Sequence, residues 1–300
     1  MNMPFVSVII PVQNDLERLQ TCLQALERQS YPQDRYEILV VDNASDAPVA
    51  LSGCPHTRAL FEGRRGSYAA RNTGIAHARG EIFAFTDSDC VPADDWLEQG
   101  VAVLRGAEPC GCVGGNIEFF FRDPAHPTAV ELYDSVMHLD QEAFIRRKQF
   151  SVTANLFTFR QVVETVGNFD SSLESNGDKD WGQRVAARGY RLAYAERAVV
   201  KHPARQTFAE LRRKVTRVVK GAADLSQARA AAGTPVLRGQ RWSLPVLKIF
   251  KLRKQYPMSL PVYAGIWGIW LAMKWLKLHE LFRARWGAMF RNAAKGRQER

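Results

Sequence analysis

Carboxylates stand in this sequence at places that packing alone does not explain. Asp87 and Asp89 lie one residue apart in E-I-F-A-F-T-D-S-D-C-V-P, Glu81 to Pro92, just after the apolar run Ile82, Phe83, Ala84 and Phe85. A short apolar run after a glycine reads as a strand buried on both faces, which puts the pair at its carboxyl end. Two carboxylates so spaced can aim at one hard divalent cation; the plainer use of Asp-x-Asp is an Asx-turn or a cap for the next helix. A second polar pair, Asp42 and Asn43, follows the run Tyr36 to Val41. A third cluster, Asp178, Lys179 and Asp180, precedes Trp181 to Arg188. There a carboxylate can remove a proton from a substrate, or both can simply favour the positive end of the helix dipole.

These groups need elements to gather them. Val6 to Pro11 reads as a strand, and Asn14 or Asp15 can cap a helix with Leu16, Leu19, Leu23 and Leu26 at helical spacing. Tyr36 to Val41 and the shorter Arg58 to Phe61 read as strands, followed by a helix, Tyr68 to Ala78, that carries Arg71, Asn72 and Gly74. With the strand before Asp87, this order predicts a parallel sheet with Asp42 and Asp87 along one edge. That edge is where open α/β sheets bind ligands.

Farther on, the pattern predicts helices over Asp94 to Leu104, Glu131 to Ile145 and Trp181 to Arg188, and a short one through Val163 and Val166 that ends at Gly167. Strands are expected around Gly111 to Val113, over Arg191 to Tyr194 and over Val199 to His202; Ser151 to Phe159, which contains Asn155, reads as a strand or loop. Phe119, Phe120 and Phe121 suit core and rim, or the lining of a cleft.

The 300 residues are 46% hydrophobic and 24% charged, the balance of a folded globular protein rather than a disordered one. Cys22, Cys54, Cys90, Cys110 and Cys112 form no Cys-x-x-Cys pair, so neither a disulfide framework nor a zinc ribbon is suggested and a reducing cytosol fits. The first residues lack the basic region of a signal peptide and read as the first strand.

Charge divides the chain. Residues 201–300 hold 22 Lys and Arg against four acids, a net +18, so the overall +10 leaves residues 1–200 at −8. Such a split points to a tail that meets an anionic surface. Phe208 to Lys220 reads as a basic amphipathic helix with Phe208, Leu211, Val215 and Val218 on one face, Ala230 to Pro235 as a linker, and Leu244 to Tyr256 as a second basic segment. Met258 to Met273 is uncharged, but its 16 residues fall short of the roughly 20 that a spanning helix needs. With Trp267, Trp270, Trp275 and Trp286 beside Lys274, Lys277, Arg283 and Arg285, it suits a helix lying in the headgroup region, or a hairpin packed on the body.

Seven stretches resemble, in order and spacing, the inverting family 2 glycosyltransferases with the GT-A fold. They are V-S-V-I-I-P-V-Q-N-D at Val6 to Asp15, V-V-D-N-A-S at Val40 to Ser45, A-A-R-N-T-G at Ala69 to Gly74, and F-T-D-S-D at Phe85 to Asp89. A-N-L-F-T-F-R at Ala154 to Arg160, G-N-F-D at Gly167 to Asp170 and N-G-D-K-D-W-G-Q-R at Asn176 to Arg184 complete the set. The resemblance, which covers Val6 to about Pro203, implies a mixed, mainly parallel α/β sheet flanked by helices over residues 1–204; residues 205–300 lie outside it, and their charge and amphipathic pattern read as a basic helical extension that meets the membrane.

It also implies that Pro11, Asp42, Arg71, Asp87, Asp89 and Asn155 bind the nucleotide-sugar, and that Asp89, Asp87 and His202 hold Mg²⁺ or Mn²⁺. Asp178 matches the family's general base. Gly177 stands where the family usually has Glu, so Asp180 stays open as the alternative base. The expected reaction is metal-assisted single displacement from a nucleotide-sugar, UDP favoured by family frequency, to a saccharide or polyprenyl-linked hydroxyl in glycan or cell-envelope polysaccharide synthesis. The expected place is cytoplasmic, peripheral at the inner face of the plasma membrane, with no nucleic-acid partner. Gln-x-x-Arg-Trp of the processive synthases is not matched, because Arg238 holds the Gln position before Arg241 and Trp242. Rival readings are a phosphatase-like or nucleotidyltransferase-like metal enzyme, and a basic nucleic-acid-binding protein.

Overall fold

The computed structural model describes residues 3–49, 51, 55–106, 110–137, 139–231, 249, 250, 252, 256 and 258–298. The chain divides into two compact units, Met1–Phe120 with Leu139–Pro203, and Phe121–His138 with Ala204–Arg300. The first unit ends at Pro203, and residues 121–138 group with the second.

The first unit is built on an eight-stranded sheet. Its strands are β1 (Val6–Val12), β2 (Tyr36–Asp42), β3 (Thr57–Phe61), β4 (Ile82–Thr86), β5 (Val91–Pro92), β6 (Cys110–Phe120), β7 (Asn155–Phe159) and β8 (Arg191–Pro203), in the order β3-β2-β1-β4-β7-β6-β8-β5. β3, β2, β1 and β4 are parallel, as the strand and helix order requires, and Val12 lies opposite Asp42. β1, β2 and β4 are buried along their whole length because helices cover both faces of a parallel sheet. β7 runs antiparallel to β4 and β6, and β8 lies parallel to β6.

Helices α1 (Leu16–Glu27), α2 (Ser67–His77) and α3 (Trp96–Leu104) follow β1, β3 and β5. Gly74 lets α2 settle on the sheet, since a Cβ there would lie 2.5 Å from Ile9 Cγ2. The helix expected over Glu131 to Ile145 is two, α4 (Ala129–Met137) and α5 (Gln141–Lys148). Leu139 takes φ 58°, and the Asp140 side chain caps α5 by accepting from the Ala143 N–H at 3.1 Å. α6 (Arg160–Val166) and α7 (Gly177–Ala187) follow β7. α7 begins four residues earlier than Trp181, so Asp178 and Asp180 lie in its first turn. The two strands expected near the end of this unit are the single β8, with a register irregularity opposite Gly115 and Asn116.

In the second unit, α4 is joined by α8 (Phe208–Ala231) and α9 (Leu260–Gln298). The buried stripe of α8 is Leu211, Val215 and Val219, whereas Phe208 is exposed and Val218 only half-buried. Buried Asp134 on α4 meets Arg205 Nη1 at 3.0 Å and Lys214 Nζ at 3.4 Å. Ile266 and Met273 of α9 are buried, while Leu271, Trp275, Leu278 and Phe282, spaced four, three and four apart, are exposed on one face. Among the described residues no helix is long and apolar enough to cross a membrane. The linker residues 232–235, Arg238, Arg241 and Trp242, and most of the basic segment 244–256 lie outside the described residues, as do Cys54 and the side chain of Trp286.

Candidate active site

Asp87 follows β4 directly, and the Cys90 N–H donates to the Asp87 carbonyl at 3.1 Å, so both carboxylates hang from one turn. Next, β5 pairs antiparallel with β8, Val91 opposite Lys201, a register that carries His202 toward Cys90. One donor atom each from Asp87, Asp89, Cys90 and His202 consequently lies within 4.8 Å of the others. His202 Nδ1 is 2.8 Å from the Pro203 carbonyl. A carbonyl only accepts, so Nδ1 carries the proton and the Nε2 lone pair, 3.9 Å from Asp89 Oδ1, can face a cation. The Phe119 ring packs on His202 at 5.7 Å.

Two carboxylates and one imidazole whose Nδ1 is anchored are a donor set that fits Mg²⁺ or Mn²⁺. Burial, then the charges of Asp89 and Asp87, push the Cys90 thiol well above its ordinary value, so it keeps its proton. Arg18 on α1 also reaches this cluster, with Nη1 3.9 Å from Asp89 Oδ2.

The first two turns of α2 link this cluster to the second acidic group. Asn43, after β2, donates to the Glu62 and Arg64 carbonyls at 3.1 and 2.7 Å and accepts from the Gly66 N–H at 2.7 Å, which fixes the loop entering α2. Arg71 is 3% exposed and its guanidinium donates to Asp87. Tyr68, one turn earlier, packs its ring 5.8 Å from the Arg71 guanidinium carbon and donates its hydroxyl to Asp178 Oδ1 at 3.3 Å. Asn72 clamps the Phe169 backbone, donating to its carbonyl at 2.8 Å and accepting from its N–H at 3.1 Å. Phe169 in turn stacks on Tyr68 at 5.8 Å.

Asp178 is half-buried. Desolvation raises its carboxyl pKa above the ordinary range, opposed by the Lys179 N–H at 2.8 Å, the Arg71 charge and the Tyr68 hydroxyl. Asp180, two residues on, turns to its own helix: its Oδ2 takes the Arg184 Nε–H at 2.9 Å, and Arg184 also donates to the Val166 and Asn168 carbonyls.

The remaining expected residues fall in two places. Pro11 and Asp42 are buried at the carboxyl ends of β1 and β2, and Asp42 Oδ1 accepts from the Ser45 N–H at 3.0 Å. The loops after these strands are joined by Asn14, which donates to the Asp46 carboxylate at 3.0 Å and accepts from its N–H at 2.8 Å. Asn155 does not join the site. It is fully buried, its amide nitrogen donates to the Asn116 and Ala198 carbonyls at 2.8 and 2.9 Å, and its oxygen accepts from Trp96 Nε1 at 2.9 Å. No amide hydrogen is left for a nucleotide, so it serves as a strand tie. Tyr68 and Arg18 reach the site without having been expected there. Tyr68 stands three residues before Arg71 on one helix, and that spacing was the available signal.

The sequence matches the family model for glycosyl transferase family 2 over residues 7–171, more than half of the chain. This chain belongs to glycosyl transferase family 2. It is 44% identical over 226 residues to glycosyltransferase AglE of Haloferax volcanii, covering 73% of each protein. It is 24% identical over 229 residues to a dolichyl N-acetyl-alpha-D-glucosaminyl phosphate 3-beta-D-2,3-diacetamido-2,3-dideoxy-beta-D-glucuronosyltransferase of Methanococcus voltae, covering 69% of this chain and 71% of that protein. Among solved structures, mannosyltransferase PcManGT of Pyrobaculum calidifontis, in complex with GDP-Man and Mn²⁺, superimposes with a TM-score of 0.62 at 21% identity, covering 96% of this chain and 88% of the other. S. aureus TarS 1-349 with UDP gives a TM-score of 0.51 at 15% identity over 73% of this chain and 66% of that one. The fold is thus GT-A, and the family assignment displaces the phosphatase and nucleotidyltransferase alternatives.

Proposed function

We propose that this glycosyltransferase moves a sugar from a nucleoside-diphosphate sugar to an acceptor hydroxyl by one inverting displacement. The observation that carries the reading is the link between the two acidic groups: Arg71 binds Asp87 beside the Asp89 and His202 donors, while its neighbour Tyr68 holds Asp178. Asp87, Asp89 and His202 would hold Mg²⁺ or Mn²⁺, which supplies charge neutralisation for the departing diphosphate. Pro11 and Asp42, at the neighbouring strand ends, take the nucleoside, with Asp42 accepting from the base. Arg71 keeps the Asp87 carboxylate turned to the donor and adds a positive charge under the phosphates.

Asp178 removes the acceptor proton as the oxygen attacks the anomeric carbon from the far side of the leaving group. Asp180 is the weaker choice, because Arg184 holds its carboxylate. UDP-sugar remains the favoured donor, and the activity for which the Methanococcus relative is named supports a lipid-linked saccharide acceptor in glycan synthesis. The exposed apolar stripe of α9 and the +18 tail support a peripheral enzyme at an anionic cytoplasmic membrane face.

The test is a panel of UDP-, GDP- and dTDP-sugars scored by release of nucleoside diphosphate with Mn²⁺ or Mg²⁺. One donor should turn over, and excess EDTA or Asp89→Asn should remove at least 99% of the rate. Full turnover in EDTA contradicts the metal assignment.

A further inference from the structure

We propose that Tyr68 is a positioning residue for Asp178, and that Gly177 is the residue that makes room for it. The inference rests on the reading of Asp178 as the base and extends it to the way this chain manages without the neighbouring Glu of its family. A Cβ at Gly177 would lie 2.7 Å from Tyr68 Cε2 and 2.9 Å from Cζ, so any larger residue at 177 collides with the tyrosine ring. Only with glycine there does the phenol lie over the start of α7 and bring its oxygen 3.3 Å from Asp178 Oδ1. The ring is fixed from its other sides, by Phe169 at 5.8 Å and by the Arg71 guanidinium at 5.8 Å, and Tyr68 is 6% exposed. A ring so held has little freedom to lose, so its hydroxyl is a pre-set donor rather than one ordered at each turnover.

A phenol can donate to the ionised carboxylate, the form a general base must hold before it takes a proton. It leaves the other oxygen, Oδ2, to face the acceptor hydroxyl. The charged groups acting on Asp178 are Arg71 of α2, which favours ionisation, and Asp87 after β4, which opposes it. Tyr68 adds its hydrogen bond to the side of Arg71, so removing the hydroxyl raises the pH needed to ionise the base.

The experiment measures kcat and KM against pH for the full-length chain with its metal and the active donor of the panel, in wild type, Tyr68→Phe, Gly177→Ala, Tyr68→Ala, Tyr68→Ala/Gly177→Ala and Asp178→Asn. Tyr68→Phe keeps the ring and should lower kcat roughly tenfold, the scale of one hydrogen bond to a charged group. It should leave donor KM within about twofold and move the acid limb of the profile to higher pH. Gly177→Ala should shift the limb the same way in the wild-type background and add nothing once Tyr68 is Ala, because the collision partner is gone.

If Tyr68→Phe keeps the wild-type kcat and limb while Asp178→Asn is inactive, the base reading stands and the positioning role is overturned. Equal effects of Gly177→Ala in both backgrounds overturn the steric pairing. Transfer by Asp178→Asn at the wild-type rate overturns both readings together.

Discussion

Asn155 lies within the first unit, where it ties β7 to β6 and β8 and receives the Trp96 indole N–H. Asn155→Ala removes its bonds to two strand carbonyls and to the buried Trp96 indole N–H. The variant should lose about 2–4 kcal/mol of stability, read as a lowered denaturation midpoint. A midpoint within error of wild type would show that the network is not needed. The carboxylates were legible because charge directly after a buried apolar run has few structural uses, and because seven weak motifs in one order carried a family resemblance. What pairs with each was not. Asp178 and Asp180 are two letters apart and indistinguishable by type, yet one faces Tyr68 and the other Arg184, a difference set by helix phase and by neighbours distant in sequence. The same holds for Tyr68: its spacing from Arg71 puts it on the site face, but nothing in the sequence marks the carboxylate 110 residues away that it meets.

At the level of elements, the parallel half of the sheet was readable from strand and helix alternation. Asp42 and Asp87 stand on one edge because β1 separates β2 from β4 and all three run the same way. The antiparallel half was less legible. β5 has two residues, too few for any periodicity, yet its pairing with β8 delivers His202 to the Asp87 turn. The apolar period of Glu131 to Ile145 ran past the point where Leu139 adopts a left-handed conformation and Asp140 restarts the helix. The motif at Ala69 to Gly74 works as an element: Arg71 and Asn72 aim outward at Asp87 and Phe169, and Gly74 allows the close seat on Ile9 that sets their height. Gly74→Ala should cost about 1–3 kcal/mol by overpacking and lower donor affinity in the folded fraction, because the helix must lift. Titration calorimetry with the active donor checks this; unchanged affinity and stability would show that Ile9 yields freely.

For the whole molecule, the proposed place of work at a membrane face rests on charge and apolar surface. Composition alone separated an acidic body from a basic tail, whereas the exposed seam Leu271, Trp275, Leu278 and Phe282 emerged only when the buried face of α9 was defined. Each Lys or Arg near an anionic bilayer contributes about 1 kcal/mol, screened by salt, and a buried apolar side chain adds roughly 1.5–3 kcal/mol that salt does not screen. The full chain should therefore float with anionic liposomes at low salt and be released only in part at high salt. Trp275→Ala/Leu278→Ala should lower the bound fraction about tenfold or more at high salt. Wild-type protein that stays with the unbound fraction at low salt would favour the tail as a packed hairpin. The account centres on Asp178 as the base of a displacement whose donor is held elsewhere in the site. Its most direct test measures sugar transfer and donor affinity side by side for Asp178→Asn with Mn²⁺ present. Transfer reduced at least 1,000-fold, a loss on the order of that expected for a general base, with donor affinity within about threefold of wild type, is the predicted result. Transfer at the wild-type rate, or loss of donor binding in step with transfer, would contradict it.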